Sequence, residues 1–66
     1  MQVTINAETK ELPEACSVAQ MIELLSLQNK RLAVEINKEL VPRSEFASHQ
    51  IQVGDEIEIV QAIGGG

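Results

Sequence analysis

Aromatic side chains are almost missing from this 66-residue chain: Phe46 stands alone, without Trp or Tyr. That removes the platforms on which proteins stack bases, and it makes any core aliphatic. Cations are scarce too, with five Lys and Arg against ten Asp and Glu and a net charge of −5. Phosphate backbones need clustered Lys and Arg, so nucleic acid is excluded as a partner. Such acidity either keeps a small domain soluble or steers it toward a basic groove on another protein. Cys16 is the only cysteine, which leaves no internal disulfide and makes a reducing cytoplasm the expected address. No apolar run approaches the length of a membrane span. The opening Met1-Gln2-Val3-Thr4-Ile5 reads as a strand, not a signal peptide. A chain this short forms one domain and buries only about 60% of its unfolded surface. Little room is left for an internal active site, and no self-sufficient enzyme is expected.

The hydrophobic share of 44% with 23% charged residues is that of a folded domain. Met1, Val3 and Ile5 alternate with Gln2, Thr4 and Asn6, the period of a half-buried strand. Asn6-Ala7-Glu8 offers a turn, weaker than Asn-Gly, and Thr9 to Leu12 return as a second strand that Pro13 stops. Ser17 and Gln20 have the spacing of a capping box, with Cys16 and Met21 at the two staple positions. Val18, Met21, Ile22 and Leu25 then mark one helical face. Leu24 widens it and Leu27 extends it, so the helix is expected to run to about Gln28 with Asn29 as a left-handed cap. Leu32, Val34 and Ile36 give a third strand, Asn37-Lys38 a turn, and Glu39-Leu40-Val41 a fourth strand ended by Pro42. Ser44 is expected to cap a brief helical turn carrying Phe46 and Ala47. Gly54-Asp55 makes a tight turn before a last strand with Ile57, Ile59 and Ile63 on one face and Glu56, Glu58, Val60 and Ala62 on the other.

This order predicts an α+β fold, a mixed sheet of about five strands with one helix across one face. A helical crossover after a hairpin lets the last strand run parallel beside the first. That is the β-grasp, or ubiquitin-like, arrangement. The domain is expected over residues 1–63, followed by a flexible glycine tail over residues 64–66.

The chain closes on Gly64-Gly65-Gly66. At an average glycine content of about 7%, three in a row at a given place arise roughly 3–4 times in 10,000 by chance. A floppy end or a cloning scar is the plain alternative, although the Ser, His and protease-site residues of a scar are missing. Glycine passes through channels that exclude larger residues, and nothing in such a tail packs. Its last reactive group is the α-carboxylate of Gly66. Val60 and Ala62, on the open side of the sheet just before the tail, form either scattered surface apolarity or a docking patch.

Other candidate chemistry is thin. A helix N-terminus lowers a thiol's pKa, yet free cysteines are usually buried, and Cys16 is read as an apolar staple residue. His49 has no second His or Cys at ligand spacing, so it is read as a surface residue and no metal site is expected. Glu35 with Glu39, and Glu56 with Glu58, are read as solvated faces. No glycine loop precedes a helix to cradle phosphate.

Three segments together resemble the sulfur carrier proteins of thiamine biosynthesis, the ThiS family. They are Ile36-Asn37-Lys38-Glu39-Leu40-Val41-Pro42-Arg43, Val53-Gly54-Asp55-Glu56-Ile57-Glu58-Ile59-Val60 and the final Gly64-Gly65-Gly66. The likeness spans nearly the whole chain. Asn6-Ala7 departs from it, where an Asn-Gly-like turn is more usual. The resemblance implies a carrier, not an enzyme. The Gly66 carboxylate would be adenylated by an E1-like adenylyltransferase that uses ATP and Mg²⁺, with no cofactor bound to the carrier itself. A cysteine persulfide on a sulfurtransferase or cysteine desulfurase, or on the activating enzyme, would supply sulfur. The resulting Gly66 thiocarboxylate would pass it to thiazole synthase.

Gly65 and Gly66 would serve passage into a partner and Gly64 a hinge. Val60, Ala62, Ile63, Arg43 and Phe46 would be partner contacts. Residues from Ile63 to Gly66 extend roughly 13–14 Å, enough to enter an active site while the domain stays outside. Alternatives are a carrier resembling the small subunit of molybdopterin synthase, a ubiquitin-like protein modifier, and an interaction domain with an inert tail.

Overall fold

The computed structural model describes residues 1–61. Five strands form one mixed sheet: β1 (Gln2–Ile5), β2 (Glu8–Glu11), β3 (Leu32–Ile36), β4 (Glu39–Val41) and β5 (Glu56–Gln61). The order across the sheet is β2-β1-β5-β3-β4. β5 is central, parallel to β1 and antiparallel to β3. The helix α1 (Val18–Leu24) follows the first hairpin, and the 3-10 turn η1 (Arg43–Glu45) precedes β5. This is the expected β-grasp order.

Alternation sets which face is buried. Val3 and Ile5 of β1, Val34 and Ile36 of β3 and Ile57 of β5 turn to one side and form a core with Val18, Met21 and Ile22 of α1. Met21 and Val18 are fully buried, and truncating such a methionine to alanine costs about 2–5 kcal/mol. Both hairpins turn on two residues of positive φ, Asn6 (51°) with Ala7 (69°) and Asn37 (53°) with Lys38 (69°). That sign pattern matches the right-handed twist of the flanking strands. Ala7 holds it without glycine.

The capping box is present. The Ser17 hydroxyl accepts from the Gln20 amide at 3.1 Å, and the Gln20 side chain accepts from the Ser17 amide at 2.8 Å. The next donors are also used, Val18 N–H to the His49 carbonyl and Ala19 N–H to that of Phe46. Cys16 and Met21 are both buried, as a staple requires.

Three local expectations need correction. The helix ends at Leu24, not Gln28. Ser26 takes φ 59° and its amide donates to Glu23, while the Leu27 amide donates to Ile22. These two bonds make a Schellman ending with serine where glycine is usual. Asn29 is left-handed too, at φ 70°, but in the loop that follows. Leu24, the last residue of the helix, does not widen the buried stripe: it is 58% exposed. Ser44 does not cap η1: Pro42 holds the cap position with no side-chain bond, and its fixed φ starts the turn.

Candidate functional site

Ala62, Ile63, Gly64, Gly65 and Gly66 lie outside the described residues. What the structure shows is how the chain is held up to that point. Val60 pairs with Ala33 and Gln61 with Leu32. β5 is also gripped by two turn asparagines. Asn6 accepts from the Ile59 amide at 2.9 Å and donates to the Ile59 carbonyl at 3.3 Å. Asn37 accepts from the Glu56 amide and donates to the Asp55 carboxylate, both at 3.0 Å. Asp55 in turn accepts from the Gln52 amide at 2.8 Å, which fixes the turn at Gly54, where φ is 81°. The parallel pairing of β1 with β5 covers only Thr4 and Ile5, so the Asn6 carboxamide extends that grip beyond the end of β1.

The face of the sheet turned from α1 carries Val60, 64% exposed, and Leu40, 65% exposed. Ala33, directly opposite Val60, is exposed as well. Glu35 faces Glu58 on β5 and Leu40 on β4, and Glu56 precedes them. The result is an apolar strip edged by carboxylates. Like charges directly opposite on a sheet are destabilising, so the Glu35–Glu58 pairing gains nothing for the fold.

The expected contacts are thus not one surface. Val60 lies on the open face, whereas Arg43 and Phe46 line a cleft on the helix side together with Ile22 and Leu32. Leu40 escaped the sequence reading as a site residue, although strand alternation with Val41 implies an outward Leu40, and the carboxylates beside it are the ones read there as solvated faces. Cys16 is 1% exposed, its thiol donates to the Ser17 carbonyl at 3.4 Å, and burial pushes its pKa up. That is the opposite of an activated nucleophile. His49 is half-buried, and its carbonyl accepts from the Val18 amide. Among the described residues no three His, Cys, Asp or Glu gather as metal ligands, and no helix is long and apolar enough to cross a membrane.

Residues 3–66 match the family model of the ThiS family. The chain is 33% identical over 66 residues to the sulfur carrier protein ThiS of Escherichia coli, covering 100% of both. It is 36% identical over its full length to a thiazole synthase of Paramagnetospirillum magneticum, of which it spans only 20%. A crystal structure of the thiamine biosynthesis protein ThiS from Geobacter metallireducens superposes with a TM-score of 0.86 at 28% identity, covering 100% of each chain.

Proposed function

This chain belongs to the ThiS family, and from that premise we propose that it carries sulfur for thiamine biosynthesis as a thiocarboxylate on Gly66. The observation that carries this reading is full-length similarity to a sulfur carrier joined to the glycine end of the sequence. The domain is a carrier rather than a catalyst. Nothing among its described side chains forms a nucleophile with an adjacent base, so the reacting group is supplied by the backbone.

The chemistry follows from that group. An α-carboxyl has a pKa of about 3.3–3.7 and is ionised at neutral pH. It offers no leaving group until activated. One carboxylate oxygen attacks the α-phosphorus of ATP on an E1-like adenylyltransferase, pyrophosphate leaves, and an acyl-adenylate forms. Mg²⁺ and ATP belong to that partner. The terminal sulfur of a cysteine persulfide, on a sulfurtransferase, a cysteine desulfurase or the activating enzyme, attacks the acyl carbon and AMP leaves. A second thiol of the donor attacks the remaining S–S bond, leaving a disulfide on the donor and a thiocarboxylate on Gly66. The similarity to part of a thiazole synthase supports a thiazole synthase as the acceptor, and a single free cysteine suits the reducing cytoplasm as the place.

From Gln61, the end of β5, residues 62–66 can span at most about 18 Å. The body therefore stays at the mouth of a partner's channel, and the open face of Leu40, Ala33 and Val60, whose apolar side chains are exposed, would meet the partner there. The carboxylates around that strip favour a basic counterpart. ATP–pyrophosphate exchange by the adenylyltransferase tests the first step. It should depend on the carrier and disappear when Gly66 bears a C-terminal amide. Exchange that persists with the amide overturns the assignment of the reacting group.

A further inference from the structure

The charge of this protein is unevenly placed. Net charge is −5, yet Lys30, Arg31 and Arg43, three of the five Lys and Arg residues, line one open cleft on the helix side. The cleft has a volume of about 460 Å³ and lies between the loop leading into β3 and the start of η1. Its apolar lining includes Ile22, Leu27, Leu32 and Phe46. Phe46, the only aromatic side chain, is half-buried there rather than sealed in the core. The three cations are exposed. Among the described residues the ion pairs are made by the Met1 amine and Lys10, and none by these three. Glu23 also borders the cleft without reaching ion-pair distance of them.

We propose that this cleft docks an acidic peptide segment of a partner protein, with an apolar side chain seated against Leu27, Leu32 and Phe46 and carboxylates meeting Lys30, Arg31 and Arg43. An apolar floor with a cationic rim is complementary to an acidic segment that also carries a hydrophobic anchor. The cations stand on two separate elements, which suits an extended chain carrying more than one acid. A phosphate would need donors converging on one point, and the first-turn amides of α1 are already bonded to Phe46, His49 and Ser17. The cleft also adjoins the end of β5, because Leu32 in its floor pairs with Gln61. It lies across the sheet from Leu40 and Val60. The domain therefore offers two surfaces of opposite charge, a basic cleft and an acidic open face. This inference stands beside the carrier reading, since peptide binding is read without ATP, sulfur or any enzyme.

The test is a titration of the ¹⁵N-labelled 66-residue chain followed by amide chemical shifts. The probe is the peptide acetyl-Glu-Leu-Glu-Phe-Glu-amide, with acetyl-Lys-Leu-Lys-Phe-Lys-amide and ADP as the other arms. The acidic peptide is expected to give saturable shifts at Ala19, Glu23, Leu27, Arg31 and Phe46, and none at Leu40 or Val60. Arg31→Glu with Arg43→Glu should weaken binding about tenfold or more, Arg43→Gln less, and added salt should weaken it further. The substituted side chains are exposed, and an unchanged thermal midpoint will show that the variants are folded. Three results overturn the proposal: no saturation by the acidic peptide, equal binding of the lysine peptide, or shifts centred on the open face. Saturation of the same residues by ADP also overturns it, by making the cleft a small-anion site.

Discussion

The Asn6 carboxamide brackets Ile59, accepting from its amide at 2.9 Å and donating to its carbonyl at 3.3 Å. A turn residue thereby imitates one more rung of strand, and it does so two residues before the described chain ends. A hydrogen bond of this kind contributes about 0.5–1.5 kcal/mol net. Asn6→Gly keeps the left-handed backbone while removing both bonds, so it separates the clasp from the turn. It should lower stability in urea by about 1–2 kcal/mol and speed hydrogen exchange of the Ile59 amide specifically. If that amide exchanges as before, the clasp is ornamental.

Ala7 and Ser26 hold φ values of 69° and 59°, where a Cβ is costly and glycine is not. Ala7→Gly and Ser26→Gly should each raise stability by about 0.5–1 kcal/mol despite removing a side chain. The urea midpoint of each variant against the parent chain checks this.

The open face is expected to serve binding, not folding. Glu58→Gln relieves the repulsion with Glu35, so it should stabilise the domain by a few tenths of a kcal/mol while slowing adenylation by the partner. Val60→Gln and Leu40→Gln should leave thermal stability nearly unchanged, since both side chains are exposed and neither change puts a new charge opposite Glu35. Each should raise the carrier concentration needed for half-maximal adenylation about tenfold or more. Normal adenylation of the double variant would remove the open face from the account.

Burial pushes the Cys16 thiol above its ordinary 9.0, so the native state keeps the proton to higher pH than the unfolded chain does. Its contribution to stability is full below about pH 9 and is lost as the pH rises past that value. The urea midpoint should therefore fall on going from about pH 8 to about pH 10, and Cys16→Ala should reduce that slope. Iodoacetamide should label the native thiol slowly and the urea-unfolded thiol fast. Cys16→Ala should also leave sulfur loading intact.

Strand and turn positions were legible because alternation and Asn-containing pairs act locally. Val3, Ile5, Val34, Ile36 and Ile57 all turn inward as their spacing implies. The end of α1 was not legible: the apolar spacing continues through Leu25 and Leu27, and only the backbone reversal at Ser26 stops the helix. Serine carries no strong signal for a left-handed conformation. The clasp by Asn6 was equally hidden, since it joins residues 53 apart in sequence. The site splits the same way. Val60 follows from strand parity, but the gathering of Lys30, Arg31 and Arg43 around Phe46 depends on how a loop and η1 come together. Composition alone shows only that cations are scarce.

The most direct test is intact-protein mass spectrometry with fragmentation, after incubation of the 66-residue chain with ATP, the adenylyltransferase, a persulfide donor and a thiol. The account predicts the mass gain of one oxygen replaced by one sulfur, carried by the fragment ending in Gly66 and absent when Gly66 is deleted. An unchanged mass alongside a control carrier that loads under the same conditions, or sulfur found on Cys16 instead, would contradict it.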